Sequence, residues 1–198
     1  MKNETINELK KLLQEYKAIQ KSDPIDGGRF YKIKSQLFVL PSGEEITREF
    51  IDKKKSTIVL PVTKDKKIVF VIQPIALSKE GSLIELPAGY VESDESSLST
   101  GVRELIEETG YVGNEVISLG EHYQDPGSIK ETVQIYVITD CEKKYKQKLD
   151  NDEHIKYIEV DYEEAMELLD LGYIKDANTF IALSKYDRYI NNNKRKAL

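Results

Sequence analysis

Between Gly89 and Tyr111 the chain reads GYVESDESSLSTGVRELIEETGY, and no other stretch restricts the fold as much. The run from Arg103 to Thr109 has helical character and ends on Gly110, a residue suited to stop a helix in the left-handed conformation. A helix turns about 100° per residue, so Leu98, Val102, Leu105 and Ile106 share one arc, while Arg103, Glu104, Glu107 and Glu108 share the opposite one. The first arc is expected to face a core; the second gathers carboxylates. Close carboxylates repel by roughly 4 kcal/mol per pair at an effective dielectric near 20, so a positive charge is expected on that face. The donors are oxygens, with no His or Cys nearby, which suits a hard cation such as Mg²⁺ or Mn²⁺. Ser96 or Ser97 is the expected cap. Gly101, inside the helix, costs about 1 kcal/mol relative to Ala and is read as a close-packing contact.

Gly89, Glu95, Arg103, Glu104, Leu105, Glu107, Glu108 and Gly110 stand in register with the signature box of one family, in which Gly is followed after five residues by Glu and after seven more by Arg-Glu. On these residues the chain resembles the Nudix hydrolases; Tyr111 departs, standing where an aliphatic residue is usual. The resemblance implies an α/β fold, a Nudix α/β/α sandwich with a mixed central sheet, plus an N-terminal helix and a small antiparallel sheet for dimerisation. It also implies hydrolysis of a nucleoside diphosphate linked to another moiety, with two or three Mg²⁺ or Mn²⁺ ions when substrate is bound. Glu104, Glu108 and the Ala88 carbonyl would be metal ligands. Glu107 would ligate a second ion or hold a metal-bound water. Arg103 would pair with box glutamates, Glu95 foremost, and Gly89, Glu95 and Gly110 would be structural positions.

Features outside the box resemble the ADP-ribose and ADP-sugar pyrophosphatase branch. Pro126 follows Gly110 by 16 residues and precedes Gly127, GSLIELPAG precedes the box, and NDEHIKYIEV and GYIKDANTFIAL lie near the C-terminus. The resemblance covers about Gly28 to Leu183. ADP-ribose, cleaved to AMP and ribose 5-phosphate, is the first expected substrate; ADP-glucose or GDP-mannose is the alternative. Ile75 stands where this branch carries an Arg in a V-x-Q-x-R pattern. By the same resemblance Glu131, in the loop after Pro126, is the candidate general base, although a box glutamate can take that role. Pro126, Gly127, Arg48, Arg29 and Phe30 are the candidate substrate-binding residues. Phe30 or Tyr31 would stack on the base, and Arg29 or Arg48 would reach phosphates, from the same chain or a partner copy. A non-catalytic nucleotide-sensing module is the other reading, but such modules lose box glutamates and all of them persist here.

The remaining chain is read in order. Thr5 to Glu8 has the form of a capping box, and Ile6, Leu9, Leu12, Leu13, Tyr16 and Ile19 form a helical apolar stripe ending before Ser22. FYKIKSQLFVL and EEITREFI read as two strands joined by Pro41, Ser42 and Gly43. Thr57 to Thr63 and Lys67 to Gln73 read as a hairpin, and Leu83 to Leu86 as a strand leading into the box. Val116 to Tyr123, Thr132 to Thr139 and Ile155 to Val160 read as further strands. Helices are expected over Asp161 to Leu171 and Ala177 to Ile190, with a basic tail frayed after them. The expected division is a 1–55 annex for dimerisation and part of the substrate pocket, a 56–190 catalytic domain and a 191–198 tail.

A net charge of −6 argues against nucleic acid as a partner. The N-terminus, MKNETINELKK, lacks a signal-peptide pattern, and no apolar run approaches about 18 residues. A cytoplasmic homodimer acting on a small nucleotide sugar, without a membrane partner, is therefore expected. Cys141 is the only cysteine, which excludes an intrachain disulfide, and it is read as a packing residue. His122 and His154 are isolated and read as structural or surface groups.

Overall fold

Residues 56–74 hold two nearly continuous apolar runs, Ile58 to Val62 and Ile68 to Ile72, and they become the centre of the molecule. The computed structural model describes residues 3–17 and 33–196. Strands β3 (Ser56–Thr63) and β4 (Lys67–Pro74) form a hairpin whose turn places Lys66 at φ 64°. Ile58, Leu60, Val62, Ile68, Phe70 and Ile72 enter one hydrophobic cluster, and Val59 and Val69 enter a second one. A strand repeats every two residues, so the hairpin feeds cores on both faces and must be apolar nearly throughout.

The flanking strands build a mixed sheet around it. β10 (Thr132–Lys143) runs parallel to β3, from Val133 beside Ser56 to Ile138 beside Pro61, and β11 (Lys156–Asp161) runs antiparallel to β4. β8 (Glu115–Tyr123) pairs with β10, while the short strands β5 (Ser82–Glu85), β6 (Ala88–Tyr90) and β7 (Tyr111–Val112) pair with β4, β3 and β10. Helix α2 (Ser97–Thr109) covers one face through Leu105, against Val59, Val69, Tyr111, Ile138 and Cys141. Helices α1 (Asn3–Glu15), α3 (Tyr162–Asp170) and α4 (Ala177–Lys196) cover the other through Leu9, Leu12, Ala165, Leu168 and Leu183. The result is the expected α/β/α sandwich.

A second, three-stranded sheet stands beside it. β1 (Ile33–Val39) and β2 (Glu45–Asp52) pair antiparallel, and β9 (Ile129–Lys130) adds to β2 in parallel through Ile51 and Ile129. Every residue of β1 is exposed.

Several expectations are corrected. Helix α1 begins at Asn3, so Thr5 lies inside it and is not a cap; its Oγ1 donates to Glu164 Oε2 at 3.0 Å and ties α1 to α3. Ile19 lies outside the described residues. On α2 the buried side is Thr100, Gly101, Leu105, Glu108 and Thr109, whereas Val102 is exposed, so the helix is rotated from the arc that apolarity alone suggested. The close approach of Gly101 to β3 sets that rotation: a Cβ there would lie 2.8 Å from Val59 Cγ2 and 2.9 Å from Thr57 Cγ2. Residues 191–196 continue α4 rather than forming a frayed tail. β10 runs on to Lys143 past an irregularity at Ile138 to Cys141. β6, β7 and β9 are two or three residues long, too short for an alternating pattern to reveal them.

Candidate active site

The site begins with the capping of α2. Ser96 is the N-cap: its side chain accepts from Ser99 N at 3.1 Å, and Ser99 Oγ accepts from Ser96 N at 2.8 Å. Gly110 ends the helix at φ 77°. Capping places Glu95 just before the first turn, where Arg103 meets it with two donors, Nε to Oε1 at 2.8 Å and Nη2 to Oε2 at 3.0 Å. The third nitrogen, Nη1, donates to Glu104 Oε1 at 2.8 Å and to Glu107 Oε2 at 3.0 Å. A planar guanidinium is suited to such forked pairing. Arg103 and a hydrogen bond from Thr100 hold the Glu95 carboxyl down at about 2, while these carboxylates raise the pKa of Arg103 further. The positive charge that repulsion among the glutamates requires is thus supplied in part from within the helix.

Glu108 lies beyond this arrangement. It is buried, with Oε2 accepting from the Ala88 backbone N–H at 3.3 Å. Burial raises its pKa well above the ordinary carboxylate value, and the nearby charges of Glu104 and Glu153 add to this. Burial likewise pushes Glu104 up to about 7 against the pull of Arg103, with Glu107 and Glu153 adding to the rise. Two desolvated carboxylates one helical turn apart are costly when ionised unless a cation joins them. Gly89 makes room for Glu104, since a Cβ there would lie 1.8 Å from Glu104 Oε1. Ala88 is exposed at the same edge. Among the described residues no three acidic, His or Cys side chains converge tightly enough to enclose an ion, and Glu104 and Glu107 face Arg103. The all-oxygen donor set of Glu104, Glu108 and the Ala88 carbonyl nonetheless fits a hard divalent cation.

Glu131 lines the same cleft as Glu104 and Glu108. It lies between β9 and β10, as the expected loop position implies, and is only 7% exposed. Ser56 Oγ donates to its Oε1 at 3.0 Å, and Lys53 Nζ stands 3.6 Å from its Oε2. Oε2 is buried and has no hydrogen-bond partner among the described residues.

Two clefts meet at this point. One, of about 520 Å³, is lined by Ala88, Gly89, Glu104, Glu108, Asp150 and Glu153, among others. The other, of about 890 Å³, is lined by Arg48, Phe50, Tyr123, Pro126 and Gly127 along the small sheet. Lys53 and Glu131 line both. Pro126 and Gly127 thus share the larger cleft with Arg48, whereas Arg29 and Phe30, like Tyr31, lie outside the described residues. Ile75 lines neither cleft. Cys141 is buried, and burial pushes its thiol up to about 12, as befits packing rather than attack.

Sequence reasoning missed several lining residues. Asp150 and Glu153 are delivered by the segment after β10, which is fastened to α2 where Gln147 Nε2 donates to the Glu108 carbonyl at 2.5 Å and Lys148 N to the Glu107 carbonyl at 2.8 Å. Its polarity made it look like an ordinary loop. His122 is less isolated than expected, since its Nε2 is 2.9 Å from Oδ1 of Asn178, a residue of the acidic cleft. The run Lys53-Lys54-Lys55 before β3 is the visible signal for Lys53, which lines both clefts.

A NUDIX domain model matches residues 52–183. The ADP-ribose pyrophosphatase of Bacillus subtilis (strain 168) is 32% identical over 170 residues, covering 85% of this chain and 91% of its own length. The methanol dehydrogenase activator of Bacillus methanolicus is 34% identical over 172 residues, covering 86% and 92%. The GDP-mannose pyrophosphatase of Escherichia coli O1:K1 is 30% identical over 145 residues, covering 69% and 75%. A solved structure described as an ADP compounds hydrolase superposes with a TM-score of 0.72 at 18% identity, covering 87% of this chain and 93% of that one, a likeness of fold.

Proposed function

This chain belongs to the Nudix family and is a Nudix pyrophosphohydrolase, and from that premise we propose that it is a cytoplasmic homodimer that hydrolyses the diphosphate of a nucleoside diphosphate sugar, ADP-ribose first. The observation that carries the reading is the acidic cleft itself. Glu104 and Glu108 face the edge of Ala88 and Gly89 there, and Glu131 lines the same cleft. ADP-ribose and water would yield AMP and ribose 5-phosphate.

In this reading Glu104, Glu108 and the Ala88 carbonyl hold a divalent cation, Mg²⁺ or Mn²⁺, and Glu107 serves a second. Bound cations neutralise phosphate oxygens, lower the pKa of water and stabilise the leaving phosphate. Glu131 offers a buried carboxylate oxygen without a hydrogen-bond partner as the proton acceptor for the attacking water. Arg103 orients Glu95, Glu104 and Glu107 rather than touching substrate. The larger cleft, with Arg48, Pro126 and Gly127, receives the nucleoside, and the exposed β1–β2 ribbon brings a second copy to complete it.

Another nucleotide sugar, ADP-glucose or GDP-mannose, is the second reading: Ile75 occupies the place of an Arg common in the ADP-ribose branch, and a GDP-mannose pyrophosphatase is among the relatives. Turnover with Mg²⁺ against ADP-ribose, ADP-glucose, GDP-mannose and NADH ranks these substrates. Glu108→Gln is expected to lower kcat by about 10²-fold or more on the preferred one, as loss of one electrostatic stabiliser does. Unchanged turnover would refute the assignment.

A further inference from the structure

Side-chain amides from Gln73, Gln124 and Asn178 line the acidic cleft among its carboxylates. Gln124 is exposed, and Gln73 turns its Nε2 to Glu85 Oε2 at 2.6 Å. Asn178 is the opposite case. It is half-buried in the first turn of α4, and its oxygen is the atom that is taken: Oδ1 lies 2.9 Å from Nε2 of His122 on β8. The other ring nitrogen of His122, Nδ1, is buried with no hydrogen-bond partner among the described residues. A proton there would lack an acceptor, at a cost of about 1–3 kcal/mol for a buried donor, so the neutral tautomer with its proton on Nε2 is favoured and donates to Oδ1. That fixes which way the amide faces. Nδ2, with its two N–H groups, is turned from the ring, and no described residue accepts from it. The residue is also anchored along the chain. The Thr179 backbone N–H donates to Asp176 Oδ2 at 2.7 Å, and Thr179 Oγ1 accepts from Leu86 N at 3.1 Å, which ties the start of α4 to the segment leading from β5 to Ala88.

We propose that Asn178 is a specificity-determining residue that donates from Nδ2 to a hydroxyl oxygen of the sugar beyond the diphosphate, with His122 as the positioning residue that holds its amide. Asn178 lines the acidic cleft and not the larger one, so it stands apart from the surface that receives the nucleoside. An uncharged donor suits a hydroxyl, and it adds no positive charge to a cleft whose carboxylates have cations to hold. A site that hydrogen-bonds a substrate hydroxyl discriminates against an analogue lacking it, and a donor fixed before the substrate arrives loses less freedom on binding. The proposal rests on the reading of this cleft as the hydrolytic site, and it adds the residue that recognises the sugar.

The test uses the full chain with Mg²⁺ and compares the preferred nucleotide sugar with the β-methyl ester of the same nucleoside diphosphate, which keeps the diphosphate and lacks the sugar. Asn178→Ala is expected to lower the kcat/KM preference for the nucleotide sugar over the ester about tenfold, the scale of one lost hydrogen bond. His122→Phe is expected to lower the same preference about threefold, to have no further effect in an Asn178→Ala background, and to be reversed by His122→Gln, which restores a donor. If the preference of Asn178→Ala stays at the wild-type value, whether or not both rates fall, Asn178 does not read the sugar and the proposal is overturned. An effect of His122→Phe that is equally large without Asn178 overturns the positioning role. Equilibrium binding with Mg²⁺ of α,β-methylene ADP-ribose and α,β-methylene ADP gives an answer independent of turnover: a loss of about tenfold by Asn178→Ala confined to the sugar-bearing ligand supports the proposal, and an equal loss on both, or none, overturns it. A wild type that binds these analogues and hydrolyses no nucleotide sugar would remove the enzymatic reading, and the binding comparison would still decide the role of Asn178.

Discussion

Glu85 illustrates how a single side chain carries the electrostatics of its neighbourhood. Burial pushes its carboxyl up to about 7, the charge of Asp176 adds to the rise, and the hydrogen bond from Gln73 Nε2 at 2.6 Å opposes it. A carboxyl whose folded pKa is raised contributes stability that is present at low pH and lost as pH rises through that value. In EDTA, Glu85→Gln is therefore expected to improve relative to wild type between pH 5 and pH 8, because Gln removes the ionisation and can still accept from Gln73. Thermal melts of both proteins across that range check this, and parallel melting curves would show that Glu85 is not the titrating group. The other residue-scale result concerns Arg103. The repulsion that pointed to a cation on α2 is met first by this guanidinium, and Glu108, outside its reach, is the carboxylate left most in need of one.

At the scale of elements, α2 and β3 are held together where Gly101 lets the helix backbone close on the strand. Gly101→Ala would gain about 1 kcal/mol of helix propensity, yet its methyl would overlap Val59 and Thr57, and overpacking costs about 1–3 kcal/mol. The steric term prevails, so a net loss of about 1 kcal/mol is expected, or about 2–4 °C in Tm for a chain of this size. Because α2 also carries Glu104 and Glu108, the same substitution should reduce turnover. A variant as stable and as active as wild type would show that β3 yields freely. The segment after β10 has a comparable role: its hydrogen bonds to the last turn of α2 bring Asp150 and Glu153 to the cleft.

For the molecule as a whole, the sandwich encloses the main core, while the small sheet leaves apolar side chains exposed. Leu9 and Leu12 of α1 lie in the main core, whereas Ile33, Leu37 and Val39 on β1 are 71%, 57% and 66% exposed. Isolated two-stranded ribbons are marginal in water, and the single short strand β9 adds little to this one. A second copy covering the ribbon would bury these side chains and close the larger cleft. Leu37→Asp combined with Val39→Asp is expected to convert a dimer to monomer in light scattering and to weaken substrate binding. A wild type that is already monomeric would remove the dimer from the reading.

The sequence by itself determined the helix between Ser96 and Gly110, the apolar hairpin of β3 and β4, and the box residues at the centre of the site, because caps, apolar runs and fixed spacing are local properties written in consecutive residues. It did not determine the rotation of α2, which a contact with Gly101 decides, nor the short strands β6, β7 and β9, which exist only through their partners. The burial of Glu131 and its meeting with Ser56 and Lys53 were likewise decided by tertiary structure. Those residues are brought together by the pairing of β9 with β2 and of β10 with β3, so their proximity follows from long-range closure of the sheets rather than from any spacing along the chain.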